Sequence, residues 1–182
     1  FGDKKETMLN QNEKEIVAYH EAGHAYLSYI LEHVENPIKV SIVPHEKGML
    51  GFSQSDVKDE ILLRKKNLDQ KINVLMAGRI AEDIFCNDVT NGASNDIEKA
   101  TDLAKKYVKM FGFHGSNQFM KQSQDPNDDK ISNFLKDYAD KHVFEYLKTK
   151  YKETYKIVLQ SKSEIESLKK LLLLKETIYY ED

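Results

Sequence analysis

From Asn12 to Leu31 the residues Ile16, Val17, His20, His24, Leu27 and Leu31 recur every three or four positions, the period of a helix with one buried face. A chain that opens this way must cover that stripe with other elements, and most of the remaining sequence shares its period. Asn36-Pro37 breaks the first helix. Ile38–Val43 is β-branched and alternating. With a Pro44–Gly48 turn and Met49–Gln54 after it, it predicts a β-hairpin and the one sheet of note. Asp56 opens a second long helix with Leu62, Leu68, Ile72, Leu75, Met76, Ile80 and Ile84 on its buried side. Within it Ala77, Gly78 and Ala81 are small enough to let a neighbouring helix come close. Asn95 with Glu98 forms the expected capping pair of a third helix, whose stripe is Ile97, Ala100, Ala104, Val108 and Phe111. Gly112–Asp129 is polar and aperiodic and reads as a loop. Lys130–Leu159 and Ser161–Leu174 are the last two helices, the second opened by Ser161 and Glu164 as a capping box. The expected fold is mainly α, with a small β-hairpin beside the helix that carries the two histidines.

At 182 residues and 40% apolar content, one ordinary core can be built without a disulfide or metal to hold it. A net charge of -3 argues against binding of nucleic acid by phosphate neutralisation. Arg64 and Arg79 are the only arginines, so bidentate phosphate recognition is poorly supplied as well. The single cysteine, Cys86, excludes an internal disulfide framework and reads as a small buried hydrophobe. No apolar run is long enough to span a membrane. The chain begins with Phe1 and has no signal-peptide pattern, as expected of a processed or excised piece.

The chemistry is concentrated in His20-Glu21-Ala22-Gly23-His24. Histidines four apart on a helix project from one face, and both can reach one zinc ion. Glu21 lies one position round, where its carboxylate can accept a proton from a metal-activated water without ligating the metal. The competing reading is a helix with two core-edge histidines.

A catalytic zinc needs a third protein ligand and one open position. An H-x-x-G-x-x-H extension would need glycine at 27 and histidine at 30, where Leu27 and Ile30 stand. His33, His45, His114 and His142 read as single polar positions. Asp96, in the first turn of the third helix, is a candidate, although an aspartate there ordinarily complements the helix dipole. Glu82 and Asp83 at the end of the second helix are rivals, and spacing leaves the three open.

Three blocks in this order resemble the peptidase domain of the FtsH family of ATP-dependent zinc metalloproteases (AAA proteases). They are Ala18-Tyr19-His20-Glu21-Ala22-Gly23-His24-Ala25, Ala77-Gly78-Arg79-Ile80-Ala81-Glu82, and Asn91-Gly92-Ala93-Ser94-Asn95-Asp96-Ile97 with Ala100-Thr101. Leu173-Leu174-Lys175-Glu176-Thr177 is a weaker fourth match, so the resemblance covers nearly the whole chain. It implies His20, His24 and Asp96 as zinc ligands and Glu21 as catalytic base. It implies a single zinc-metallopeptidase domain over 1–182, in which residues 1–111 bind the metal, 112–129 form a polar loop and 130–182 form the C-terminal helices. It further implies a hexameric ring, homo- or hetero-oligomeric, degrading unfolded or membrane-extracted polypeptides. ATP would act only through an upstream module and the membrane only through an upstream anchor, at a mitochondrial, plastid or bacterial inner membrane. Consistently, no G-x-x-x-x-G-K-[ST] occurs in the chain.

Ser53-Gln54-Ser55-Asp56 and Gly112–Asn117 depart from the family pattern, which bears on gating and specificity but leaves the ligand set intact. The expected activity is zinc-dependent endoproteolysis. A hairpin strand, Ile38–Val43 or Met49–Gln54, is expected to bind substrate backbone by strand addition, so that proline at Gly51 or Phe52 raises KM. The alternative is a zinc-binding assembly subunit of an AAA protease ring without turnover.

Overall fold

A computed structural model describes residues 9–44, 52–55 (as backbone), 62–114, 125 and 127–181. Helix α1 spans Gln11–Ile30, opened by Asn10, whose side-chain oxygen accepts from the Glu13 N–H at 2.8 Å. It ends where Leu31 turns extended, six residues before the predicted break at Pro37. Strands β1 (Pro37–Ser41) and β2 (Phe52–Ser55) follow, then α2 (Lys65–Cys86) and a 3₁₀ turn at Asn91–Ala93. Helix α3 (Ser94–Lys105) runs into a π turn at Lys106–Met110. Helices α4 (Asn133–Gln160) and α5 (Lys162–Lys175) and strand β3 (Thr177–Tyr179) complete the chain.

The mainly helical class and the antiparallel β1–β2 pair agree with expectation. Other details differ. Residues 56–61, where the second helix was expected to start, lie outside the described residues, and Leu62 is 79% exposed ahead of the helix. Asn95 sits in the first turn of α3 and does not cap it; the cap residue, Ala93, offers no side-chain bond. The capping side chain here is Thr90, whose hydroxyl accepts from the Gly92 N–H of the 3₁₀ turn. Ser161 makes no side-chain cap either, being the single residue at which α4 passes into α5. Of the predicted Gly112–Asp129 loop, residues 115–124 and 126 lie outside the described set.

Sequence patterning missed β3. It pairs antiparallel with β1 on the side opposite β2, giving the order β2-β1-β3 with Val40 facing Ile178 and Ser41 facing Thr177. A three-residue strand directly after a helix offers no alternation to detect. Its consequence is chemical: β1 has both edges occupied, so Ile38–Val43 is not available for strand addition. Among the described residues only β2 and β3 keep an open edge.

Helix α2 is the central element. One side of it joins α1, α5 and the sheet in a core that includes Ala18, Ala22, Leu27, Val40, Ile80, Leu172 and Ile178. Its N-terminal half joins α3, the π turn and α4 through Leu68, Ile72, Ala104, Val108 and Val143. The approach of α1 to α2 is close because Gly23 has no side chain: a Cβ there would lie 2.8 Å from the Ala77 carbonyl oxygen. That closeness brings the histidine face of α1 within reach of α2 and α3.

Candidate metal centre

His20 and His24 are one turn apart on the buried face of α1, each 8% exposed. Asp96 is carried to them by the first turn of α3, which the 3₁₀ turn and Thr90 set in place. The three ligand atoms form a nearly equilateral triangle. His24 Nε2 lies 2.9 Å from His20 Nε2 and 3.0 Å from Asp96 Oδ2, and His20 Nε2 lies 3.1 Å from the same oxygen. Among the described residues this is the one group of His, Cys, Asp and Glu side chains gathered tightly enough to hold a metal ion.

The other ring nitrogens fix the tautomers. His20 Nδ1 lies 2.8 Å from Glu82 Oε2 and His24 Nδ1 lies 2.6 Å from the Val74 carbonyl oxygen. Both partners only accept, so each Nδ1 carries the hydrogen and each Nε2 of a neutral ring presents a lone pair. Two lone pairs and a carboxylate oxygen therefore converge on one point. That arrangement is repulsive unless a cation or added protons occupy the centre, and the donor set fits zinc. The electrostatics agree. Burial opposes charge on His20, but the hydrogen bonds with Asp96 and Glu82 and the nearby Glu21 carboxylate outweigh it and raise its pKa to about 10. Burial likewise opposes charge on Asp96, yet the two imidazoles hold its carboxyl well below the usual range.

Glu82, a rival for third ligand on spacing, stands on the Nδ1 side of His20, away from the triangle. Its second oxygen accepts from the Thr90 N–H at 3.2 Å and from the Thr90 hydroxyl. The carboxylate thus orients His20 and ties it to the loop that delivers Asp96. Asp83 and Cys86 are likewise outside the cluster, and burial pushes the Cys86 thiol up to about 11. His33 donates its backbone N–H to Gln70 Oε1, and His45 lies outside the described residues. His114 and His142, expected as separate polar positions, are neighbours with ring centroids 5.0 Å apart.

Glu21 is 6% exposed and lies between the two histidines in sequence. Burial raises its carboxyl above the ordinary value against the pull of His24 and His20.

Gly78 is the residue whose role at the site sequence reasoning missed. A Cβ there would lie 2.5 Å from His24 Nε2 and 2.6 Å from His20 Nε2 and Cε1. The small triplet in α2 pointed to helix contact, but what Gly78 accommodates is the pair of imidazoles. No local signal separates the two, because the distinction depends on which face of α1 arrives there.

The family model for peptidase family M41 matches residues 7–182. Among curated proteins, the mitochondrial ATP-dependent zinc metalloprotease FTSH 10 of Arabidopsis thaliana is 32% identical over 182 residues, covering 99% of this chain and 22% of that protein. The ATP-dependent zinc metalloprotease FtsH of Clostridium perfringens is 31% identical over 187 residues, covering 97% and 26%. The mitochondrial inner membrane m-AAA protease component yta12 of Schizosaccharomyces pombe is 31% identical over 185 residues, covering 99% and 24%. The chain thus spans about a quarter of the length of these relatives.

Proposed function

Because the chain belongs to peptidase family M41, we propose that it is the proteolytic domain of an ATP-dependent zinc metalloprotease and cleaves peptide bonds in unfolded or membrane-extracted polypeptides. The observation that carries this reading is the convergence of His20 Nε2, His24 Nε2 and Asp96 Oδ2 beside a buried glutamate. In this reading residues 1–182 are one zinc-peptidase domain. His20, His24 and Asp96 hold the metal, and Glu21 is the catalytic base. ATP would be used by an upstream module, and the active form would be a ring. A bacterial, mitochondrial or plastid inner membrane would be reached through an upstream anchor. No described helix is itself long and apolar enough to cross a membrane.

Zinc, when bound, supplies a water of pKa about 7 and polarises the scissile carbonyl. The chain's own residues do the rest. Glu82 and the Val74 carbonyl keep both Nδ1 atoms protonated, so the Nε2 lone pairs stay available to the metal. Glu21 accepts the proton of the attacking water at its carboxylate and returns it to the leaving amine. Its burial on α1 limits the access of bulk water to that carboxylate. The open edge of β2 (Phe52–Ser55) is the portion of the predicted hairpin left to align substrate backbone.

The test is cleavage of reduced casein with zinc, with chelator and by Glu21→Gln. Chelation should abolish cleavage. Glu21→Gln should lower it by at least about a hundredfold while metal content per chain stays unchanged. Undiminished cleavage by a zinc-loaded Glu21→Gln protein would remove the assigned base. A zinc-loaded ring with its ATPase module that never cleaves would favour the assembly role.

A further inference from the structure

Helix α1 lines a second site on its other side. Tyr29 follows His20 by nine residues, about two and a half helical turns, and so stands away from His20 and His24. With Ala25 and Tyr26 it borders a groove of about 480 Å³. Helix α5 borders the same groove through Leu168 and Leu171, and the sheet through Val40 and Ile178. The volume is that of a ligand site, about 300–1,000 Å³, and the lining is almost wholly apolar or aromatic.

Its charge and its rings point to what it accepts. Tyr29 and Tyr180 are 60% and 51% exposed with ring centroids 6.0 Å apart, so two electron-rich rings meet solvent side by side. Such rings attract cations, and the chain's own Lys39 already does this at the neighbouring one, its Nζ 5.9 Å from the Tyr179 centroid. Glu164, in the first turn of α5, is the one charged side chain in the lining. It is exposed, accepts from the Ser163 hydroxyl at 3.0 Å and makes no ion pair with any described residue, whereas Glu166 pairs with Lys169. Such a groove is complementary to a cation carried beside an apolar group. Arginine fits best, because its planar guanidinium stacks on a ring and forks to a carboxylate in one pose, which an ammonium cannot do. A second copy of the chain is a poor source: its only arginines are Arg64 and Arg79, and Arg79 is held by the Thr90 carbonyl at 3.0 Å.

We propose that this groove docks an apolar segment of another polypeptide through one arginine. The guanidinium lies over Tyr29 and Tyr180 and reaches Glu164, while the adjacent large apolar side chain fills the space between Tyr26, Leu168 and Leu171. The segment is held and not cut, because the body of α1 separates it from His20 and His24. The groove thereby selects partners by a basic–apolar pair, independently of any sequence at a scissile bond.

Peptide binding tests this. Zinc-loaded Glu21→Gln protein, used so that no peptide is consumed, is titrated into fluorescein-labelled glycine–serine peptides carrying Leu-Arg, Leu-Lys, Leu-Glu or Gly-Arg, with anisotropy as readout. Leu-Arg should bind about tenfold tighter than Leu-Glu, through the rings and Glu164 together. It should also bind about tenfold tighter than Gly-Arg, as expected for partial burial of one leucine. Leu-Lys should fall between Leu-Arg and Leu-Glu. Glu164→Lys should invert the order of Leu-Arg and Leu-Glu, and Tyr29→Ser with Tyr180→Ser should bring Leu-Arg down to Leu-Lys; all three side chains stand at the surface. A Leu-Lys or Leu-Glu peptide that binds as tightly as Leu-Arg overturns the proposal, as does an arginine preference that survives Glu164→Lys. So does a Tyr29→Ser/Tyr180→Ser protein that keeps its peptide affinities but sediments as a smaller species, since the face would then hold a second copy of the chain. Casein cleavage has no part in these ratios, so a failure of the peptidase reading would leave them as measured.

Discussion

Gly78 shows how much of the metal centre depends on single atoms. Its missing Cβ is the space the two imidazoles occupy, and they cannot retreat, because Gly23 one helix away already lies against the Ala77 carbonyl. Gly78→Ala should therefore displace the rings and weaken zinc binding by at least about tenfold, the scale seen when the groups that orient a metal ligand are lost. Helix α2 itself should form more readily, since alanine exceeds glycine by about 1 kcal/mol in helix propensity. Competition against a chromophoric chelator reads the affinity and circular dichroism the helix; unchanged affinity would mean that the rings do not depend on this gap. His20 and His24 were legible as a pair because helical spacing alone puts them on one face, and Glu21 because it follows His20 by one position. The choice between Asp96 and Glu82 was not. Both are carboxylates at plausible positions, and which one meets Nε2 and which Nδ1 depends on how α3 and α2 pack around His20. Only the family resemblance ranked them; the packing sets Asp96 at Nε2 and Glu82 at Nδ1.

Between elements, the contact of α2 with α4 is polar as well as apolar. Thr154 donates to Asn73 Oδ1 at 3.0 Å, and Tyr146 donates to Asp69 Oδ1 at 2.5 Å while stacking on Tyr107 from the π turn. His114 closes this seam against Tyr146 and His142, with both ring nitrogens buried and unbonded among the described residues. Burial first, then His142 and Lys65, lower its pKa against a smaller opposing pull from Asp69. Its folded pKa lies below its unfolded value of about 6.5, so the unfolded chain binds the extra proton first. His114 therefore contributes full stability above about pH 6.5, and that contribution declines as pH falls through this value. In urea titrations of the zinc-loaded protein, the wild type should lose more stability than His114→Phe between pH 7.5 and pH 5.5, roughly either side of that pKa. Parallel losses would show that His114 takes up its proton equally in both states. The helices were legible because each carries a long apolar stripe. Their ends were not, because Ala93, Thr90 and Ser161 acquire their roles from the turns they join.

Across the whole molecule the proposed metal ligands come from the first helix and the third, and the second helix supplies the groups that bond to the two histidines. Zinc should therefore act as a stabilising ligand of the folded state. With free zinc a thousandfold above its dissociation constant, the gain is about 4 kcal/mol, or roughly 8–16 °C in Tm for a domain of this size. Calorimetry with and without chelator measures it, and an unmoved Tm would mean that metal binds folded and unfolded chains alike. The mainly helical class followed from the dominance of one period along the chain. The third strand did not, because its partner lies far away in sequence. Ser41 and Thr177, whose hydroxyls meet at 2.9 Å, are 136 positions apart. On a ribosome adding about 5–20 residues per second, β1 waits roughly 7–27 s for its second neighbour. Throughout that interval one edge of β1 is bare, the kind of surface that recruits other strands. A product whose synthesis stops before Thr177 never acquires the covering strand, so that edge of β1 stays open to whatever strand it meets first.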